Sequence, residues 1–123
     1  DIKYPIISDV HLNISKAYGM IHPNSSSTKD VRAVFILDPD NKIRAINYYP
    51  DNVGRNIDEI KRTLAALQKV DKRNEMTPAN WNEGDDVLLQ SPSTEKEAQK
   101  MEKSNKKNQY SLAWYMWFKK DDK

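Results

Sequence analysis

Two adjacent segments, residues 31–37 and 42–49, most constrain how this chain can fold. The first is almost continuously apolar and rich in β-branched and aromatic residues, whereas the second alternates apolar and polar positions. Between them, residues 38–41 have the sequence Asp-Pro-Asp-Asn, which favours a tight turn. The pattern predicts a β-hairpin whose first strand is buried on both faces and whose second strand is buried on one.

The segment before the hairpin is expected to contain a strand and a short helix. Residues 1–9 contain a short apolar run that is entered through a proline and closed by polar residues, and this segment predicts a strand. Residues 13–19 can form one or two helical turns, with Asn13 as the cap and Gly19 as the stop.

An amphipathic helix is predicted after the hairpin. Asn56 can cap this helix, and Glu59 three residues later completes a capping box. Ile60, Leu64 and Leu67 recur at intervals of four and three residues, so they form one apolar stripe that we assign to the core. The resulting order of elements, β-α-β-β-α, is that of half of a thioredoxin-like sheet.

The character of the sequence changes from residue 72 onwards. Residues 77–86 are rich in turn-forming residues, and residues 93–103 have the pattern of a capped, highly charged helix. Residues 110–118 then contain five aromatic side chains, an apolar area that needs something to bury it.

The predicted fold class is therefore α/β, with two parts. Residues 1–71 would form the C-terminal half of a thioredoxin-like domain. Residues 72–123 would form an extended arm without a core of its own, because the 37% apolar content suffices for one modest core.

The composition excludes several classes of function. The chain has no cysteine, which excludes disulfides and thiol nucleophiles within it. Two histidines, His11 and His22, are too few for the usual catalytic zinc cluster, so neither a metal nor a cofactor is expected. A net charge of +2, with the lysines mostly after residue 95, argues against nucleic-acid binding. Without an apolar run of about 18 residues, no membrane span is expected, and we predict a cytoplasmic protein.

Several separated motifs carry a family resemblance. They are VRAVFILD at residues 31–38, YYP at 48–50, VGRNIDEI at 53–60, Ala65, Leu67 and Gln68, TPANW at 77–81, and Gly84 with Asp85. In order and spacing they resemble the C-terminal half of one-cysteine-type peroxiredoxins, of the AhpC/TSA superfamily. The aromatic segment near the C-terminus is similar to that of the long-armed archaeal and bacterial branch.

The resemblance implies a thiol-dependent peroxidase that reduces hydrogen peroxide and alkyl hydroperoxides. In this family a cysteine in the N-terminal half attacks the peroxide, so this chain would be inactive alone. By motif position, Arg32 matches the active-site arginine that stabilises thiolate and peroxide, and Arg55 matches an arginine that braces the pocket. Because a cation is disfavoured at a helix N-terminus, Arg55 should also have a fixed carboxylate partner. Leu112 and Phe118 occupy a stretch that often carries resolving cysteines in the long-armed branch, so that role is excluded.

The resemblance also implies partners. The second hairpin strand would be a sheet edge that pairs with a second subunit, giving a homodimer or a ring of five dimers. Further partners would be the N-terminal half with the peroxidatic cysteine, the peroxide, and a thiol reductant that the sequence does not identify. The residues expected at interfaces are Tyr48, Trp81, Trp114, Trp117 and Phe118.

One hypothesis from another functional class stays open. A chain without cysteine could instead be a thioredoxin-like protein that uses its arm for binding or scaffolding. A folded, monomeric and soluble species consisting of this chain alone would favour that alternative.

Overall fold

The structure is a computed structural model that describes residues 1–21, 31–72, 75–104 and 106–121. Helices and strands both occur along the described chain, in agreement with the predicted α/β class. In chain order the elements are α1 (Asn13–Ala17), β1 (Arg32–Leu37), β2 (Ile43–Tyr49), α2 (Ile57–Lys72), β3 (Val87–Leu88), α3 (Glu95–Ser104), β4 (Gln109–Ala113) and β5 (Met116–Lys119).

The chain divides into two compact units. The first unit comprises Asp1–Arg55 and contains α1 and the β1–β2 hairpin. The second comprises Asn56–Lys123 and contains the remaining elements. The boundary that we predicted between a domain portion and an arm, at residues 71 and 72, stays a prediction about family organisation.

The hairpin of the first unit is present as predicted. β1 and β2 pair antiparallel, with Phe35 opposite Ile46. In the turn, the Asp38 carboxylate accepts the N–H groups of Asp40 and Lys42 at 3.0 and 2.9 Å. The burial of β1 differs from the prediction, since its four central residues are only half-buried. A two-stranded sheet has two faces to cover, and full burial requires a further layer on each.

The segment before α1 is not a strand, and that prediction is wrong. Residues 1–9 pair with no described strand, and Ile7 is 70% exposed. A strand exists only where a neighbour satisfies its backbone groups, and an apolar run does not specify that neighbour.

The short helix α1 is capped from a distance. Asn13 is its first residue rather than its cap. The cap is the Asp9 carboxylate, which accepts the N–H groups of Ile14 and Ser15 at 3.2 and 2.7 Å. These bonds, with that from Ser15 first, lower the pKa of Asp9 below its usual value. The predicted stop is confirmed, because Gly19 follows the helix at φ +64°.

The helix α2 has the predicted cap but not the full capping box. The Asn56 Oδ1 atom accepts the N–H of Glu59 at 3.1 Å. The Glu59 carboxylate accepts instead from Arg62, at 2.7 and 2.9 Å, and from the Thr63 hydroxyl at 3.1 Å. No described residue of α2 is fully buried, so its apolar stripe is only partly covered.

The second unit contains a three-stranded antiparallel sheet in the order β3-β5-β4. Trp114 and Tyr115 form the turn between β4 and β5, and Tyr110 lies opposite Phe118. The buried hydrophobic residues of the described chain all lie in this unit. They are Trp81 (2% exposed), Val87 (1%), Ala98 (8%) and Trp117 (6%). The expectation that this segment would have no core of its own is therefore wrong. Within the described ranges, no helix has the length and apolar character needed to cross a membrane.

Candidate functional site

The structure brings Arg32 and Arg55 together at one end of the hairpin. Arg32 is the first residue of β1, and its Nη1 atom donates to the Val53 carbonyl at 3.4 Å. Arg55 donates from Nη2 to the carbonyl of Ala33 at 3.5 Å. Each arginine thus bonds the backbone beside the other, and both side chains are exposed.

The two guanidiniums keep most of their donor capacity. Each carries five N–H donors, and each uses one of them in a single long hydrogen bond. Among the described residues neither guanidinium contacts a carboxylate, so the acidic partner expected for Arg55 is not found there. The partner is instead a backbone carbonyl, which leaves the positive charge uncompensated. Two such cations favour a bound anion and lower the pKa of a nearby thiol.

Other arginines of the chain are paired. Arg44, on β2 of the same hairpin, lies 3.6 Å from the Asp38 carboxylate. Arg62 bonds Glu59 and also donates to the Trp81 carbonyl at 3.1 Å. The hydrogen bonds from Arg62 lower the pKa of Glu59 to about 2. The uncompensated charge therefore distinguishes the Arg32–Arg55 pair from these structural ion pairs.

Tyr48 lies on β2 with half of its surface exposed. Its ring contacts Phe35 edge to face at 5.9 Å between centroids, and its hydroxyl donates to the Tyr18 carbonyl at 3.4 Å. In the described chain β2 pairs with β1 alone, so one edge of the strand lacks a partner strand.

Two of the tryptophans expected at an interface are buried within the second unit. The Trp81 Nε1 atom donates to the Asp85 carbonyl, and that of Trp117 donates to the Trp114 carbonyl, both at 3.0 Å. Trp81 is 2% exposed and Trp117 is 6% exposed, so both side chains pack within this unit, and their part in an interface stays a prediction. Trp114 itself is 62% exposed and contacts Tyr115 edge to face.

Phe118 is half-buried within the second unit. Its ring stacks on Tyr110 at 5.2 Å between centroids. The Tyr110 hydroxyl donates to Asp86 at 2.9 Å, and this hydrogen bond raises the pKa of Tyr110.

Two ion pairs of the second unit were missed at the sequence level. Lys119 donates to the buried Glu75 carboxylate at 2.8 Å, and Lys69 binds Asp121. Partners 44 and 52 residues apart have no local spacing that could reveal them. No described group of three or more His, Asp and Glu side chains could hold a metal ion, and His22 lies outside the described residues.

Two parts of the chain match models of protein families. Residues 1–46 match the AhpC/TSA family, and residues 66–105 match the C-terminal domain of 1-Cys peroxiredoxin. A peroxiredoxin of Methanosarcina mazei is 45% identical over 121 residues, covering 98% of this chain and 55% of that protein. A peroxiredoxin of Ignicoccus hospitalis is 53% identical over 102 residues, covering 80% of this chain and 43% of that protein.

Solved structures of peroxiredoxins also match this chain. The peroxiredoxin 6 of Arenicola marina matches with a TM-score of 0.78 and 31% identity, over 100% of this chain and 58% of that one. A yeast mitochondrial 1-Cys peroxiredoxin matches with a TM-score of 0.70 and 36% identity, over 89% of this chain and 53% of that one. These matches confirm the predicted fold class, the C-terminal part of a thioredoxin-like fold. The chain spans about half the length of the curated relatives it matches.

Proposed function

The chain belongs to the peroxiredoxin family, whose C-terminal portion it matches, and we propose that it forms part of a thiol-dependent peroxidase. The substrates would be hydrogen peroxide and alkyl hydroperoxides. The observation that carries the proposal is the pair Arg32 and Arg55, exposed and without a carboxylate partner in the described chain. The chain has no cysteine, so the attacking thiol would come from an N-terminal half.

Arg32 would act on both charged species of the reaction. The thiolate attacks one peroxide oxygen, a sulfur–oxygen bond forms, and the oxygen–oxygen bond breaks to release water or an alcohol after protonation. A fixed guanidinium near the sulfur stabilises the thiolate and lowers a thiol pKa that is ordinarily about 8.5. The same cation can stabilise the negative charge that develops on the leaving oxygen. Arginine suits this role because it stays charged at every relevant pH.

Arg55 would support Arg32 rather than react. Its guanidinium bonds the Ala33 carbonyl, and this contact fixes the backbone next to Arg32. Its positive charge adds to the potential at the same place. We therefore assign Arg55 to the bracing of the pocket.

A rate measurement on a completed protein tests the proposal. The N-terminal part of the Methanosarcina mazei peroxiredoxin, joined to this chain, would supply the cysteine. We expect Arg32→Ala to lower the second-order rate of cysteine oxidation by about 100-fold, since one lost transition-state donor typically costs that much. Arg55→Ala should lower it less, by about tenfold, because the residue acts through its neighbour.

Arg44→Ala is the matched control. It removes an arginine from the same hairpin, but one that is paired with Asp38. Its rate should stay within about twofold of the parent protein. An unchanged rate in Arg32→Ala, in a fusion that remains assembled and reducible, would remove Arg32 from the site.

We further propose that the complete protein is a homodimer, with a ring of five dimers as the larger alternative. Support comes from the edge of β2 that lacks a described partner strand, and from the half-exposed Tyr48 on that strand. Sedimentation velocity of the fusion should show dimers that Tyr48→Asp dissociates. Tyr48→Phe, which keeps the ring and removes only the hydroxyl, should leave the sedimentation coefficient unchanged.

One observation favours the second candidate function, a cysteine-free binding or scaffolding protein. Four of the described residues in the second unit are hydrophobic and buried, so this unit has a core without any cysteine-bearing half. Intact mass of the protein purified from its source organism distinguishes the two. A folded monomer of these 123 residues alone would support the binding protein, and a longer chain with a cysteine would support the peroxidase.

A further inference from the structure

The β1–β2 hairpin has two faces, and they carry different sets of side chains. Residues directly opposed on antiparallel strands point to the same side of the sheet. One face holds Phe35 and Tyr48, whose rings contact each other edge to face. The ring of Tyr18, at the end of α1, contacts Phe35 on this face at 4.9 Å between centroids. The end of α1 therefore packs on this side of the hairpin.

The opposite face of the hairpin holds Arg32. Its cross-strand partner in the register is Tyr49, the last residue of β2. The Cβ atoms of such a pair are about 4.5–5.5 Å apart, so the tyrosine side chain stands beside that of the arginine. Tyr49 is half-buried, and no described residue stacks on its ring or bonds its hydroxyl. Its ring is thus not used for packing against another described aromatic side chain.

The loop after Tyr49 brings a second apolar residue to the same arginine. This loop turns back on itself, because the Val53 N–H donates to the Pro50 carbonyl at 3.0 Å. The Val53 carbonyl accepts the hydrogen bond from Arg32, and the Val53 residue is 45% exposed. The guanidinium therefore has an aromatic residue of β2 and an aliphatic residue of the loop as its neighbours.

We propose that Tyr49 determines the preference of the site for alkyl hydroperoxides, with Val53 as a weaker contributor. This inference rests on the proposed peroxidase function. The thiolate attacks the terminal oxygen of R–O–OH, the oxygen–oxygen bond breaks, and the alkyl group R leaves as R–OH after protonation. Arg32 is the residue that we assign to the leaving oxygen. Because R is bonded directly to that oxygen, the neighbours of Arg32 are the side chains that R contacts.

An aromatic ring at this place favours an organic substituent over a hydrogen atom. A bulky R group that packs on Tyr49 removes apolar surface from water, and this gain does not exist for hydrogen peroxide, in which R is hydrogen. Arg32 acts on the charge that both kinds of substrate develop, whereas Tyr49 acts on the substituent that distinguishes them. The loss of Arg32 therefore lowers both rates, and the loss of Tyr49 changes their ratio.

The ratio of two oxidation rates tests the proposal. The fusion with the N-terminal part of the Methanosarcina mazei peroxiredoxin is reduced and mixed, by stopped flow, with cumene hydroperoxide or with hydrogen peroxide. We expect Tyr49→Ala to lower the second-order rate constant for cumene hydroperoxide by about tenfold, and that for hydrogen peroxide by less than about twofold. Tyr49→Phe keeps the ring and should preserve the ratio. Tyr49→Thr removes the ring but keeps a residue that suits a strand, so it should repeat the result if the alanine variant is unstable.

Two controls separate this proposal from the peroxidase proposal. Ile46→Ala removes an apolar side chain from the other face of β2, since Ile46 is paired with Phe35. It should leave the ratio of the two rates within about twofold of the parent protein. Arg32→Ala should slow both reactions by the same factor.

Three outcomes would overturn the proposal. An unchanged ratio in Tyr49→Ala and Tyr49→Thr, in a fusion that is active and that Arg32→Ala slows, would overturn this inference alone. Equal slowing with both peroxides would also overturn it, because that result would indicate a structural role for Tyr49. A parent fusion that neither peroxide oxidises would overturn the peroxidase proposal, and this one with it.

Discussion

The two units of the chain differ in how they are held together. In the first unit, the apolar side chains of Ile6 and Ile7 are each 70% exposed, and the first hairpin strand is mostly half-buried. In the second unit, Trp81 and Trp117 are buried, and two lysine–carboxylate pairs join distant parts of the sequence. The second unit therefore has a core of its own, whereas the apolar surface of the first needs further protein to cover it.

The unit that holds the arginine pair is thus the one with less internal support. Arg32 and Arg55 are exposed and are held by long hydrogen bonds to backbone carbonyls. Under the proposed function, this pair would be one half of a site whose other half carries the cysteine. The difference between the two units can be tested with substitutions that should act strongly in one unit and weakly in the other.

The largest effect is expected from Trp81→Ala. Removing a buried tryptophan leaves a cavity and should lower the free energy of unfolding by about 3–5 kcal/mol. Ile7→Ala, in the exposed run of the first unit, should change it by less than about 0.5 kcal/mol. Urea unfolding followed by circular dichroism measures both. Equal losses would mean that the first unit has an apolar core of comparable strength.

The next effect concerns ion pairs. Glu75→Ala removes the buried carboxylate that accepts from Lys119, and should lower the free energy of unfolding by about 3 kcal/mol. Asp40→Ala removes the exposed pair with Lys42 in the first unit, and should cost less than about 0.5 kcal/mol. The same urea titrations apply. A negligible loss in Glu75→Ala would show that the pair is not part of the core.

A smaller, local effect is expected from Asp9→Ala. The carboxylate caps α1 by accepting two backbone N–H groups, so its loss should speed amide exchange at Ile14 and Ser15 several-fold. The urea transition of the second unit should not move. Asp9→Asn keeps an acceptor oxygen and should exchange more slowly than Asp9→Ala. A global loss of stability instead would show that the two units unfold together.

The smallest effect is a dependence on pH. Because the pKa of Glu59 is lowered from 4.5 to about 2, its stabilising contribution is complete above about pH 4.5 and is lost as pH falls through 2. The urea midpoint of the parent chain should therefore drop more between pH 5 and pH 2 than that of Glu59→Gln. Parallel pH profiles would mean that the Arg62 contact is not maintained in solution.

Local chemistry explains which features the sequence could predict. The hairpin was predictable because residues 38–41 specify a turn between segments of matching pattern, and the start of α2 because Asn56 is a cap. The strand within residues 1–9 was predicted wrongly because pairing depends on a neighbour outside the run. The core of the second unit was missed because β5 pairs with both β3 and β4, and such pairing leaves no mark in local periodicity.

The candidate site was only partly predictable from the sequence. Arg32 and Arg55 came from motif positions, and the structure places both at one end of the hairpin. Their roles stay predictions until rates are measured. The sequence predicted a carboxylate partner for Arg55, and none is found in the described chain. A prediction from side-chain charge considers acidic residues only, so it could not identify a backbone carbonyl as the partner.

The position of β5 has a consequence for synthesis. This strand lies in the centre of its sheet, although β3 and β4 both precede it in the sequence. During translation, at roughly 5–20 residues per second, β3 and β4 have no common partner strand until Lys119 has been added. The sheet of the second unit therefore cannot form completely before β5 has been synthesised.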